Sequence, residues 1–83
     1  MSTLSIEIPD SVLLASGQSR EEFLGEAKFL LAAKLFELGR LSSGKAAELC
    51  SMPRAEFILK VGRMGIAVAD LDDEELQREF PGG

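Results

Sequence analysis

The sequence predicts a mainly α-helical fold: an N-terminal β-strand that pairs in a dimer, then a helical bundle containing a helix-turn-helix. Three patterns predict it. Leu4-Ser5-Ile6-Glu7-Ile8 alternates apolar and polar residues with period two, as a half-buried strand does. From Ser19 to Leu38 apolar residues recur at helical spacing behind a capping signal, and from Ser43 to Met64 two short helical stretches flank a tight break at Ser51-Met52-Pro53. The 83 residues make one domain, 1–83, near the lower limit of what folds alone, which favours a dimer sharing a core.

The strand, 4–8, ends at Pro9. A lone strand leaves its backbone groups unpaired, so it pairs either with its copy in a second subunit or with a partner protein. The expected dimer interface is Leu4, Ile6 and Ile8 from this strand, with Phe29, Ala33 and Phe36 from the long helix. A short helix, 10–16, follows, with Asp10 near its start and Gly17 closing it. The long helix, 19–38, opens on the capping box Ser19-Arg20-Glu21-Glu22 and stops at Gly39. Its apolar residues fall in two groups. Phe23, Ala27, Leu30, Leu31, Leu35 and Leu38 form one stripe, while Phe29, Ala32, Ala33 and Phe36 cover much of the rest. So wide an apolar surface is buried on more than one side, by a second subunit or by the rest of a monomer's core.

The segment 43–64 reads as the helix-turn-helix. Its first helix runs from about Ser43 to Cys50 and its second from about Arg54 to Met64, where Gly65 stops it. Ala46 and Ala47 are small where the helices cross closely. This arrangement offers one helix to a DNA major groove, although a helical hairpin that only packs a core needs much the same residues. Phe57, Val61 and Met64, with Ile58 beside them, form the inward stripe of the second helix, and Glu56, Lys60 and Arg63 a polar one. The candidate DNA-contacting residues are Arg40, Lys45, Arg54, Lys60 and Arg63. Against base readout stand Glu56, which repels phosphate, and the lack of Asn or Gln on this helix. An alternative DNA surface is a ribbon of paired strands presenting Thr3, Ser5 and Glu7. It ranks second, because Glu7 is repelled and 10–16 is short for the first helix of such a fold. The last segment, 66–80, begins with an apolar connector, Ile66 to Ala69. An acidic stretch follows, in which Asp72 and Glu75 make a capping box and Leu71 staples onto Leu76, so a short final helix ends near Phe80-Pro81.

Charge is distributed unevenly. The net charge is −5, but residues 28–65 carry seven bases against three acids, giving +4. Residues 1–27 carry five acids against Arg20, giving −4, and residues 66–83 six acids against Arg78, giving −5. The helix-turn-helix therefore lies in the basic block, and an acidic tail follows it. Such asymmetry points to two partners of opposite charge, or simply to solvated surface.

The chain has no histidine, tyrosine or tryptophan, so acid-base chemistry would rest on carboxylates and lysines alone, and no imidazole activates Cys50 or a serine. Cys50 reads as a buried small hydrophobe. Asp70, Asp72 and Glu74 mimic the opening of a calcium loop, but Glu75 stands where Gly is required and Pro81 where the closing Glu should be. No phosphate loop is present. The reading is a non-enzyme with no cofactor and no metal. With one cysteine, no signal-like N-terminus and charges interrupting 23–38, the expectation is a soluble cytoplasmic protein.

The strings IEIPDSVLLASGQSREEF and LLAAKLFELGRLSSGKAAELCSMPRAEFILKVGRMGI resemble uncharacterised protein family 0175, small prokaryotic predicted antitoxins with a helix-turn-helix-like centre. The most specific stretches are Ile8-Pro9, Lys34 to Leu49, and Arg54-x-Glu56-Phe57 leading to Gly65-Ile66. One departure is Pro53, where a hydroxyl residue capping the helix with Glu56 is expected; Pro replaces it at N1. Family members often neighbour genes for PIN-domain ribonuclease toxins. The resemblance thus implies an antitoxin that neutralises such a toxin by direct binding and binds double-stranded DNA to repress its own operon. The expected toxin-binding residues are Asp70, Leu71, Asp72, Asp73, Glu74, Glu75, Leu76 and Phe80: acids for a basic groove, apolar side chains for anchorage. The competing view folds this tail back over the chain's own basic block. The alternative functions are a stand-alone transcription regulator and an interaction protein that does not bind DNA.

Overall fold

The computed structural model describes residues 2–68. These form four helices: α1 (Asp10–Ser16), α2 (Arg20–Glu37), α3 (Ser43–Leu49) and α4 (Arg54–Arg63). The acidic stretch 70–80, its expected short helix and its toxin-binding residues lie outside the described residues.

The expected N-terminal strand is not formed, and the fold among the described residues is helical without a sheet. Residues 2–9 adopt neither helix nor strand, with Leu4 and Ile6 89% and 78% exposed and Ile8 also exposed. The physical reason is the hydrogen-bond ladder. Period-two alternation reports only how side chains sort between two faces, whereas a strand exists through pairing with a neighbour, and the described chain supplies none.

The helix ends follow local chemistry. Glu22 donates its N–H to Ser19 Oγ (3.1 Å), and Ser19 donates its own to Glu22 Oε1 (2.9 Å), closing the capping box of α2. The bond from the Ser19 backbone, helped by its hydroxyl, holds the Glu22 carboxyl below its ordinary pKa. Three helices end the same way. After α2, α3 and α4, the N–H groups of the next residues reach back to the helix in a double turn: Gly39 to Phe36 and Arg40 to Leu35, Ser51 to Glu48 and Met52 to Ala47, Gly65 to Gly62 and Ile66 to Val61. The motif needs a left-handed residue, supplied by Gly39 (φ 76°), Gly65 (φ 86°) and, between α3 and α4, by Ser51 (φ 56°).

The core is small and lies where α2, α3 and α4 meet. Ala32, Ala33, Ala46, Ala47, Phe57 and Val61 are its buried apolar members, ringed by Phe29, Phe36, Leu41, Leu49, Cys50, Met52, Ile66 and Val68. Two alanines each on α2 and α3 bring those helices close, and Phe57 of α4 fills the space between them. Its ring meets Phe29 edge-on at 5.9 Å and Phe36 at 5.7 Å. Phe29, Ala33 and Phe36, expected at a subunit interface, are thus placed within the chain's own core. Met64, expected to face inward, is 48% exposed. It caps α4 as the chain turns away, and Ile66 folds back against the core instead.

Candidate nucleic-acid interface

The helices α3 and α4 pack together across a short turn. Ser42 caps α3, its hydroxyl accepting the Lys45 N–H at 3.2 Å. Ala46 and Ala47 are at most 2% exposed, so α3 is covered by both α2 and α4. The turn spans Cys50 to Pro53 and reverses the chain through the left-handed Ser51. Pro53 occupies the N-cap of α4 rather than the expected N1, and its extended backbone (φ −60°, ψ 145°) launches the helix without a side-chain cap.

A polar clasp fixes one helix against the other. Arg54 Nε donates to Ser43 Oγ at 2.7 Å, and Ser43 is fully buried. This bond positions α4 on α3, so Arg54, one of the five basic candidates, also serves to hold the helix pair together. Ser43 was not legible as its partner. The two residues stand eleven apart, and only the turn brings them together.

The other four basic candidates are exposed, and they sit differently. Lys45, on the outside of α3, bonds Glu48 at 3.3 Å, one turn along. Such an exposed pair is weak and screened by salt, and a phosphate can displace it. Arg40 lies at the end of the turn after α2, its backbone held by Leu35. Lys60 leans back towards α2, with Nζ 5.5 Å from the Phe29 ring centroid. Arg63 is exposed in the last turn of α4. With Phe57 and Val61 buried, the opposite face of α4 centres on Leu59, 56% exposed, flanked by Ala55 and Gly62 on one side and Glu56 and Arg63 on the other. Leu59 and Ala55 were missed as candidates. Their signal is the i, i+4, i+7 spacing of Ala55, Leu59 and Gly62, a low surface that lets a helix approach a groove closely and touch thymine methyl groups.

Cys50 is half-buried, its thiol donating to the carbonyls of Ala46 (3.3 Å) and Ala47 (3.6 Å). Burial raises its pKa, which disfavours the nucleophilic thiolate. Among the described residues no group of His, Cys, Asp and Glu could hold a metal ion, and no helix is long and apolar enough to cross a membrane.

Residues 1–82 match the model of the Uncharacterised protein family (UPF0175). The chain belongs to this family. It is also similar to a UPF0175 protein of Archaeoglobus fulgidus, with 35% identity over 72 residues, covering 87% of this chain and 79% of the relative. No solved structure matches it. The UPF0175 match runs through α1 to α4, so the Ser43–Arg54 clasp and the Leu59 face both lie within the family's span.

Proposed function

We propose that this UPF0175 protein is an antitoxin that binds double-stranded DNA through α3 and α4 and neutralises a PIN-domain-type ribonuclease with its acidic segment. One observation carries the DNA reading. The tight α3–α4 pair is braced by the Ser43–Arg54 clasp and by Phe57, and it presents an exposed, low-relief helix face flanked on one side by Arg63 and Glu56. In this reading Lys45, Arg40 and Arg63 contact phosphates, while Ala55 and Leu59 lie against base edges. Lys60 contacts phosphate once it swings away from Phe29. Glu56 restricts the approach to one side of the helix, because a carboxylate facing the backbone is repelled.

The toxin half of the reading rests on sequence. Residues 66–83 hold six acids against one base, with Leu71, Leu76 and Phe80 among them. The family resemblance supplies the partner, a nuclease whose groove binds RNA phosphates with bases. Carboxylates steer such an encounter, and the buried Leu and Phe side chains retain it.

Two measurements on one preparation test the proposal. The purified chain should bind duplex DNA taken from immediately upstream of its own coding sequence more tightly than a scrambled duplex of equal length. A chain truncated after Val68 should keep that binding and lose the ability to restore growth to cells expressing the neighbouring nuclease. Equal affinity for both duplexes refutes the operator reading, and rescue by the truncated chain refutes the toxin-binding role of the tail.

A further inference from the structure

Two residues on the outer face of α4 do little for the chain's own described core. Leu59 is exposed opposite Phe57 and Val61 and is not among the core residues. Gly62 lies within the helix, where glycine is disfavoured relative to alanine. Its backbone is not left-handed, and a Cβ at this position would meet no described atom within 4 Å beyond the adjoining helix backbone. Neither backbone conformation nor described packing calls for glycine there. A glycine with open space above it lets something outside the chain come close to the helix backbone. Ala55 lies on the same side, one turn before Leu59, so the strip Ala55–Leu59–Gly62 rises only at one apolar side chain.

We infer that this strip reads thymine: Gly62 and Ala55 let α4 seat deep in the major groove, and Leu59 packs against thymine C5-methyl groups. The inference rests on the DNA-binding reading and names the base that reading leaves open. The chemistry of the strip selects it. Ala55, Leu59 and Gly62 bring no side-chain donor or acceptor, and the apolar feature of the major-groove edges is the thymine methyl. Guanine presents two acceptors there and adenine an acceptor and a donor, which an apolar strip covers without pairing. On the flank, the Glu56 carboxylate is repelled by guanine O6 and N7 and accepts the cytosine amino group, so the face favours pyrimidines on the strand it reads. Arg63, on the same flank, is engaged by phosphate in this reading.

The upstream duplex, prepared once with thymine and once with uracil in its place, isolates the methyl group in an anisotropy titration. Uracil keeps the pairing and the phosphates and lacks only the C5-methyl. One buried methyl is equivalent to about fourfold in affinity. With two or more contacted thymines, the uracil duplex should bind about tenfold or more weakly at an unchanged salt slope. Leu59→Ala should reduce that gap to about fourfold or less. Gly62→Ala should move two readouts in opposite directions: Tm should rise by about 2–6 °C, while affinity for the thymine duplex falls by about tenfold. A parent that binds both duplexes equally, with a negative salt slope, overturns the thymine reading and leaves DNA binding standing. A parent that binds neither duplex overturns both. A Leu59→Ala chain that keeps the whole gap overturns the role given to Leu59. A Gly62→Ala chain that loses stability shows the space to be filled by the chain itself, and one that binds as well as the parent shows that nothing approaches it; either result overturns the seating of α4.

Discussion

Replacing Phe57 by Ala should be the most destabilising single truncation in the described core. Phe57 is fully buried, its ring meets Phe29 and Phe36 edge-on, and the other buried apolar residues among those described are four alanines and Val61. Truncating a buried Phe to Ala costs about 3–5 kcal/mol. A folded chain of this length holds about 4–12 kcal/mol in total, so the loss is about a quarter of the total at the least and all of it at the low end of that range. Phe57→Leu separates ring geometry from volume. It keeps most of the apolar contact but forfeits two edge-to-face pairs of about 0.5–1.5 kcal/mol each, so we expect a loss of about 1–3 kcal/mol. For a domain of this size that lowers Tm by about 4–8 °C per kcal/mol. Urea denaturation followed by circular dichroism at 222 nm gives both values. Leu59→Ala, on the exposed opposite face of the same helix, serves as the control and should change stability by less than about 0.5 kcal/mol. A Phe57→Ala chain within about 1 kcal/mol of the parent would refute the claim that this ring holds α2, α3 and α4 together.

Three further outcomes follow from local geometry. Ser51→Gly should stabilise the chain by about 0.5–1 kcal/mol in the same urea assay, because Ser51 adopts a left-handed φ of 56° that glycine reaches without strain; a loss of stability would mean its side chain contributes more than its backbone costs. Ser43→Ala should destabilise by about 1–2 kcal/mol, since it removes the acceptor of the Arg54 Nε–H within a packed interface, and an unchanged midpoint would remove the clasp from the account. Glu22 titrates below its ordinary value of 4.5 because the Ser19 bonds favour its charged form, so its contribution is present above that value and fades as pH falls through the lower folded pKa. The Tm difference between the parent and Glu22→Gln should therefore shrink on acidification below about pH 4.5, and a difference constant from pH 7 to 2 would contradict this.

Signals confined to a few neighbouring residues were legible in the sequence. Ser19 and Glu22, three apart, announced the start of α2, and Gly39 and Gly65 announced two helix ends, because these features need no tertiary partner. Ala46, Ala47, Phe57 and Val61 were readable as inward from size and spacing. The strand at 4–8 was misread because alternation describes side chains and says nothing about a pairing neighbour. Sorting the α2 residues into two groups was possible, but not deciding which group faced the core. The larger, leucine-rich stripe is the exposed one, and the inner face is set by how closely Ala32 and Ala33 let α3 approach. The Ser43–Arg54 clasp left no local trace. It depends on a turn whose left-handed residue is a serine where the motif favours glycine, and it gives Arg54 a part in the frame.

The central claim, that α3 and α4 form a DNA-binding face, is tested most directly by the salt dependence of affinity. Fluorescence anisotropy with the upstream duplex, titrated across a salt series, gives the slope of log affinity against log salt concentration. The account predicts a clear negative slope for the parent. It should become shallower by about 1 for Lys45→Ala and again by about 1 for Arg63→Ala, with each lost phosphate contact counted separately. A salt-independent parent, or variants whose slopes match the parent's, would contradict it.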